Sequence, residues 1–200
     1  DIIASGVYVA DRNGNQISGW EENKNLYNVS IVPLGTGYTM TWWLQEQIDK
    51  SSGSDAAPAE ITVPAEGKII STINVPAGKY VKLTGAALTR AVDSKFVPLF
   101  DVKGGLILEN ITLDGNKENG AGGDGLVEVD GGKLTLEEGA SLQNSSGMNG
   151  GAVRICNNGL FTMNGGQITG NEASAGGGVF VLPNFKPDKP SMNKKQIDLL

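Results

Sequence analysis

The amino-acid sequence predicts an all-β fold: a right-handed parallel β-helix with about 26 residues per coil and a short N-terminal capping helix. Three observations indicate it. Apolar triplets recur at a fixed spacing, glycines stand just before them, and further short apolar runs follow each triplet at a similar spacing. A repeat of roughly 20 to 50 residues is typical of solenoids and propellers, but a propeller blade needs about 40 or more. The short repeat therefore favours a solenoid.

One strand of each coil is marked by triplets that begin at positions 127, 153 and 179, namely Val127-Glu128-Val129, Val153-Arg154-Ile155 and Val179-Phe180-Val181. Alternation of this kind places the two outer side chains on one side of the strand and the middle one on the other. Glycine permits the positive-φ bend that a corner needs, and it precedes the triplets at Gly125, Gly150-Gly151 and Gly176-Gly177-Gly178. We expect Val153 and Ile155 to face the core, and Arg154 to face solvent beside Glu128 and Phe180.

Two further strands follow in each coil. The second is Leu106-Ile107-Leu108, Leu134-Thr135-Leu136 and Phe161-Thr162-Met163, and the third is centred on Leu113, Leu142 and Ile168. Three short strands per coil give a triangular cross-section in which neighbouring coils lie about 4.8 Å apart and equivalent side chains stack. No single coil can bury its apolar face alone, so the stacked ladders form one continuous core.

Asparagines follow the third strand in each coil, at Asn116, Asn144 and Asn171. We expect stacked amides at this turn to hydrogen-bond to one another and to backbone groups that the bend removes from the sheet. This pattern predicts a structural role for the three asparagines rather than a binding role.

Short β-rich runs upstream predict one or two first coils, beginning near Ile61. The runs are Ile61-Thr62-Val63, Ile69-Ile70, Ile73-Asn74-Val75 and Val81-Lys82-Leu83. Before them, a spacing of four between apolar residues predicts an amphipathic helix from about Thr41 to Lys50, closing the open end of the solenoid with Met40, Leu44 and Ile48. The chain then divides into a lead-in over residues 1–58 and a parallel β-helix over residues 59–200.

The two ends of the chain are less regular. Within the first 38 residues, Asn13-Gly14 between short apolar runs predicts a hairpin-like segment. The glycine pattern stops after Phe185, and either the remaining residues cap the solenoid or the chain is the front part of a longer one. No charged-then-apolar leader opens the chain, and no stretch approaches the roughly 20 apolar residues of a membrane span.

Composition narrows the chemistry. The net charge is -6 and the 16 Lys and Arg residues are scattered, so nucleic acid is not an expected partner. Histidine is absent, which removes histidine-activated nucleophiles, histidine acid/base catalysis and histidine metal ligands. Cys156 is the only cysteine, so neither an internal disulfide nor a cysteine-based zinc site can form, and we expect it in a turn or in the core. We expect no cofactor and no metal.

The glycine-rich repeats resemble those of a known group of proteins. The segments that carry the resemblance are Gly150-Gly151-Ala152-Val153, residues 161–171 (FTMNGGQITGN) and residues 176–181 (GGGVFV). They resemble the Gly-Gly-rich repeats of bacterial adhesin-like surface proteins with the pectin-lyase-like fold. The likeness covers roughly Gly104 to Val181, and at the level of pattern it extends from Ile61 to Gly85. It implies export, a cell-surface setting, and a host or bacterial surface glycan or protein as partner. It implies no reaction, because this fold hosts lyases, hydrolases, adhesins and inert stalks alike.

The alternative function is that of a polysaccharide lyase or glycoside hydrolase of that fold, or of a degraded relative of one. A pectate-lyase mechanism needs a carboxylate cluster for calcium and an Arg or Lys as base. The nearest approach to such a cluster is Asp114, Asp124 and Asp130, but Asp-Gly dipeptides at 114 and 130 favour turns.

Few basic residues are available for catalysis. The arginines are Arg12, Arg90 and Arg154, and a surface contact with Glu128 is the favoured role of the last. A lysine base remains open if the candidates share one outer face; these are Lys82, Lys103 and Lys133. We therefore predict a noncatalytic exported surface module, adhesin-like or a spacer, and assign no catalytic residue.

Overall fold

The structure is a computed structural model, and it describes residues 36–92, 98–119 and 125–182. In these ranges the chain forms one α-helix, α1 (Thr36–Lys50), one 3-10 turn (Lys117–Asn119) and seventeen β-strands, numbered in chain order. The predicted hairpin at Asn13-Gly14 and the segment after Phe185 lie outside the described residues.

The strands form three five-stranded sheets and one two-stranded sheet, and every pairing within them is parallel. In spatial order, the first sheet contains β1 (Ala59–Val63), β4 (Tyr80–Gly85), β7 (Gly105–Leu108), β10 (Lys133–Leu136) and β14 (Leu160–Met163). The second contains β2 (Gly67–Ile69), β5 (Leu88–Arg90), β8 (Thr112–Asp114), β11 (Ser141–Gln143) and β15 (Gln167–Thr169). The third contains β3 (Ile73–Val75), β6 (Phe100–Val102), β9 (Val127–Asp130), β13 (Val153–Cys156) and β17 (Val179–Val181).

Successive coils stack in the register that the repeat predicts. Val153 pairs with Val127 on one side and with Val179 on the other, so equivalent positions lie 26 residues apart. The predicted second and third strands are also in register, at Leu108, Leu136 and Met163 and at Leu113, Leu142 and Ile168. The all-β parallel solenoid is therefore confirmed, with the first strand beginning at Ala59.

The fourth, two-stranded sheet was not predicted. It consists of β12 (Ser146–Asn149) and β16 (Glu172–Ala175), which give the last two coils a fourth short strand. These strands have the sequences SGMN and EASA and bury no side chain fully. Because no apolar alternation marks them, the sequence carries no signal for this pairing.

The core consists of the inward ladders of the three large sheets. Val153 is fully buried and Ile155 nearly so, whereas Arg154 between them is partly exposed, as the triplet pattern predicts. The same alternation recurs in β9, β10 and β6. Each fully buried apolar side chain contributes about 1.5 to 3 kcal/mol relative to an exposed one.

Glycine is required at the corner before the third sheet. Gly150 and Gly176 have φ values of 79° and 63°, in the left-handed region. A Cβ atom at Gly150 would lie 2.3 Å from the carbonyl oxygen of Val153, and one at Gly176 would lie 2.4 Å from that of Val179. The predicted positive-φ corner is confirmed, and its two copies are one coil apart.

Helix α1 begins at Thr36 rather than near Thr41, and it ends at Lys50 as predicted. The apolar spacing that marks the helix starts at Met40, and Gly37 lowers the helix propensity of the residues before it. The first turn therefore has no sequence signal.

The helix closes the first coil as predicted. Leu44 and Ile48 are fully buried against the core. The backbone N of Asn74 in β3 donates to Gln45 Oε1 at 2.7 Å, and Gln45 Nε2 donates to the Asn74 carbonyl oxygen at 3.0 Å. The Gln45 amide thus satisfies the edge of β3 in the way that a neighbouring strand would.

Two more contacts fix the helix in place. The backbone N of Ile70 donates to Thr41 Oγ1 at 3.1 Å. At the other end of the helix, Lys79 Nζ donates to the carbonyl oxygens of Asp49 and Ser51, both at 2.6 Å. A cation there satisfies terminal carbonyls and opposes the negative end of the helix dipole.

Candidate functional site

The outer side of the first sheet, hereafter the first face, carries a row of residues in register that are charged or polar except for the isoleucine in the middle. The row is Glu60, Lys82, Ile107, Thr135 and Thr162. Lys82 Nζ lies 2.6 Å from Glu60 Oε1 and 3.3 Å from Glu109 Oε2. Hydrogen bonds to Glu60 and then to Glu109 raise the pKa of Lys82 above its usual value. The lysine is thus held as a cation between two carboxylates.

Two shallow depressions adjoin on the first face. One has a volume of about 250 Å³ and is lined by Pro58, Glu60, Lys82, Ile107, Glu109 and Glu137. The other, of about 170 Å³, shares Pro58 and Ile107 and adds Asp55, Tyr80, Lys133 and Thr135. Both are smaller than the roughly 300 to 1,000 Å³ that small-molecule sites commonly have.

Tyr80 and Lys133 shape the second depression. The Tyr80 ring lies over Gly105, so close that a Cβ atom there would be 2.4 Å from ring atom Cδ1. Lys133 Nζ lies 2.5 Å from Asp55 Oδ2. The hydrogen bond to Asp55 is the main cause of a raised pKa for Lys133.

The outer side of the third sheet, hereafter the third face, holds the predicted arginine contact. Arg154 pairs with Glu128 in the preceding coil and with Phe180 in the following one, as predicted. Arg154 Nη1 lies 2.8 Å from Glu128 Oε2. The guanidinium is therefore bound to a carboxylate one coil away.

Lys103 lies on the third face and not beside the other two candidate lysines. It follows β6, and its Nζ lies 3.2 Å from Asp101 Oδ2 and 3.4 Å from Asp130 Oδ2. The Asp101 hydrogen bond is the main cause of its raised pKa. The pKa of Asp130 is lowered, chiefly by the hydrogen bond from the Asn157 side chain. Lys103 therefore does not share an outer face with Lys82 and Lys133, because it falls at a different corner of the coil.

Cys156 is buried at the end of β13. Its Sγ lies 3.6 Å from Glu128 Oε1 and 3.7 Å from Asp130 Oδ1. Burial, followed by the negative charge of the two carboxylates, raises the pKa of the thiol to about 11. The thiol therefore stays protonated and a poor nucleophile at neutral pH.

Of the three carboxylates that come nearest to a calcium cluster in the sequence, the two that the structure describes, Asp114 and Asp130, lie on different sheets. Asp114 Oδ1 accepts a hydrogen bond from the backbone N of Asn116 at 2.7 Å, and its Oδ2 accepts one from Gln143 Nε2 at 2.9 Å. This is the turn geometry that Asp-Gly at 114 predicts. Asp130 lies on the third face, and Asp124 is outside the described residues. In the described ranges, no group of three or more His, Cys, Asp or Glu residues is placed to hold a metal ion.

Each of the three turn asparagines contacts the preceding coil. Asn116 Nδ2 donates to the carbonyl oxygen of Arg90 at 3.0 Å. Asn144 Nδ2 lies 3.3 Å from Asp114 Oδ1. Asn171 Nδ2 donates to the carbonyl oxygen of Leu142 at 2.8 Å. Each of these side chains therefore contacts a residue of the preceding coil, and none of them contacts the side chain of another of the three asparagines.

The three asparagines do not share one row. Leu113 and Ile168 both pair with Leu142, one from each side. Asn116 and Asn171 follow Leu113 and Ile168 by three positions, whereas Asn144 follows Leu142 by two. In the coil before that of Asn171, the residue at the same level is Ser145, whose backbone N donates to Asn171 Oδ1 at 3.0 Å. The structural role of the three residues stays a prediction.

Asn171→Ala is expected to lower the free energy of unfolding by about 1 to 3 kcal/mol, because a backbone donor and a backbone acceptor lose their partner. Asn116→Ala is expected to act in the same direction. Asn164→Ala is the control, since its side chain bonds only an exposed carboxylate, Glu137, among the described residues. Urea denaturation measures the three changes. Unchanged stability together with lost ligand binding in Asn171→Ala would reverse the assignment.

Arg90 was not assigned a role from the sequence. It is fully buried at the end of β5, where its guanidinium donates to the carbonyl oxygen of Gly125. The signal was present in the alternation Leu88-Thr89-Arg90, which places Arg90 on the inward side with Leu88. Its charge runs against that pattern, because charged side chains are rarely buried.

In comparisons with known proteins, the chain matches no protein-family model, no curated protein and no solved structure. Within the described ranges, α1 falls short of the length and apolar character that a membrane-crossing helix needs.

Proposed function

We propose that this chain is a noncatalytic, exported surface module of the adhesin-like, pectin-lyase-like kind. It presents an outer face of its β-helix to a surface glycan or protein, or acts as a spacer. The parallel solenoid and the Gly-Gly-rich repeats support the proposal. The first face is its contact surface, because polar and charged residues there surround an apolar centre at Ile107.

The observation that carries the noncatalytic proposal is the pairing of the candidate bases. Lys82, Lys103, Lys133 and Arg154 each lie within 3.4 Å of a carboxylate oxygen. A lysine that acts as a general base near neutral pH needs a lowered pKa. The pKa values of these three lysines are raised instead. At neutral pH they therefore remain protonated and cannot accept a proton.

The shape of the first face fits a noncatalytic contact. Its depressions are small and open, and the charges around Lys82 and Lys133 are already balanced by neighbouring carboxylates. A lyase of acidic glycans needs positive charge that is free to bind the uronate. Because each of these cations is already paired with a carboxylate, the first face can form hydrogen bonds with a binding partner, but it does not produce a strong local electrostatic potential.

The purified chain is expected not to cleave polygalacturonate or alginate, with or without calcium. Product formation is followed as unsaturated or reducing ends, and a glycan array on the same preparation reports binding. Saturable cleavage that is lost in Lys82→Ala, Lys133→Ala or Arg154→Ala would overturn the proposal. The matched control is Lys68→Ala, because Lys68 is an exposed lysine on the second sheet.

A further inference from the structure

The second depression on the first face combines an aromatic ring with a balanced pair of charges. Tyr80, which is half-buried, lines it together with Pro58 and Ile107. Lys133 Nζ and Asp55 Oδ2 form an ion pair at 2.5 Å, and the two side chains are 46% and 57% exposed. A ligand in this depression can therefore contact an apolar surface and also reach both members of the ion pair.

Gly105 makes room for the aromatic ring. Tyr80 and Gly105 are paired positions of β4 and β7, and Lys133 of β10 is the next position in the same row. Tyr80 and Lys133 face outward, since Val81 and Leu134 beside them are buried. A Cβ atom at position 105 would lie 2.4 Å from Tyr80 Cδ1, in the space that the ring takes. The ring therefore lies over the coil between its own and that of Lys133.

The charges around the two depressions disfavour an anionic ligand. Their linings contain two lysines and four carboxylates, which belong to Asp55, Glu60, Glu109 and Glu137. Each lysine is bound to at least one of these carboxylates. Uronate or sulfate groups would therefore meet more negative than positive charge, on a chain whose net charge is already -6. A neutral ligand does not meet this repulsion.

The shape of the surface suits a glycan better than a protein. The depressions, of about 250 and 170 Å³, adjoin at Pro58 and Ile107 and are both shallow, so a polymer can contact them along its length. A stable protein partner needs roughly 800 Å² on each side with a mainly apolar centre. The apolar part of these linings is small and consists of Pro58, Leu106, Ile107 and the ring of Tyr80.

We propose that the first face binds a neutral, hydroxyl-rich glycan, with one sugar ring against Tyr80. The negative face of an aromatic ring attracts the weakly positive C–H groups of a sugar. Sugar hydroxyls accept a hydrogen bond from Lys133 and donate one to Asp55, and such charge-assisted hydrogen bonds are stronger than neutral ones. The Thr135 hydroxyl belongs to the same lining and can donate or accept. This inference rests on the proposed function, because it names the ligand class of the same surface.

Isothermal titration calorimetry of the full chain tests the inference with oligosaccharides of galactan, mannan and xylan as neutral probes and of polygalacturonate as the acidic probe. We expect a neutral probe to bind with nearly the same Kd at about 0.05 and 0.5 M NaCl, because salt screens charges and leaves neutral contacts unchanged. Tyr80→Ala is expected to raise this Kd at least about tenfold. Tyr80→Phe is the matched control, since it keeps the ring and is expected to keep the affinity.

Gly105→Ala tests the position of the ring while the tyrosine stays in place. The added methyl group must displace the ring, so binding is expected to weaken as in Tyr80→Ala, with the circular dichroism unchanged. Gly78→Ala is its control, because a Cβ there meets nothing within 4 Å and Gly78 belongs to neither lining. Full affinity in Gly105→Ala would contradict the assigned place of the sugar.

The remaining outcomes separate this inference from the proposed function. Preferential binding of polygalacturonate, or an affinity that falls steeply with salt, would overturn the inference and assign the first face to a charged partner. Failure of every neutral probe to bind, or equal binding by Tyr80→Ala, would overturn it as well. None of these results contradicts a noncatalytic contact surface. That proposal fails instead if the chain cleaves a glycan.

Discussion

Val153→Asp is expected to lower the free energy of unfolding by more than about 3 kcal/mol, because it buries an unpaired carboxylate in a dry apolar ladder. Val153 is fully buried between Val127 and Val179. The residues of β9 and β17 that pair with Val153 and Ile155 are all valines, so none of these ladder neighbours can balance the new charge. Urea denaturation followed by circular dichroism measures the change.

Arg154→Gln is the matched control for that substitution. Residue 154 is adjacent in sequence but faces outward, and its ion pair with Glu128 is partly exposed to solvent. Its loss is expected to cost less than about 1 kcal/mol. Equal shifts of the two denaturation midpoints would contradict the inward and outward assignment of β13.

Gly150→Ala is expected to be the second most damaging of these substitutions. The residue has a φ of 79°, and the added Cβ would lie 2.3 Å from the Val153 carbonyl oxygen. A left-handed conformation costs a non-glycine residue about 1 to 2 kcal/mol, and the backbone contact adds to that cost. We expect a loss at least about 2 kcal/mol larger than that for Gly78→Ala.

Gly78→Ala separates the two contributions. Gly78 has a φ of 85°, but a Cβ there would meet nothing within 4 Å. This variant therefore carries the conformational cost alone, partly offset by the lower entropy of the unfolded chain. Thermal and urea unfolding of both variants compare them directly. Similar losses would mean that the corner at Gly150 can move away from the new methyl group.

The repeat made much of the fold predictable. The triplets at 127, 153 and 179 determine which residues pair, and Arg154 beside Glu128 follows from that register. The first coils are shorter, since Ala59 pairs with Val81 only 22 positions later. The contact between Glu60 and Lys82 therefore could not be read from a 26-residue period.

Other features depend on single side chains rather than on periodicity. Gln45 falls within the predicted helix, but no sequence pattern marks its hydrogen bonds to Asn74, because these require the helix to lie across β3. The buried position of Arg90 depends on one hydrogen bond to the Gly125 carbonyl, and residue type alone does not predict it, because a charge is rarely buried. The expected asparagine stack depends on turn lengths, and one residue fewer after Leu142 than after Leu113 places Asn144 in a different row.

The helix cap has a consequence for the way in which the solenoid opens. Each coil of such a protein contacts its neighbours alone, so its stability is close to a sum of local coil and interface energies. The first coil is sealed by Leu44, Ile48 and Gln45 of α1. This coil cannot separate from the stack by thermal fluctuation unless these contacts with the helix break as well, so α1 turns an otherwise free edge into one of the slower regions to open.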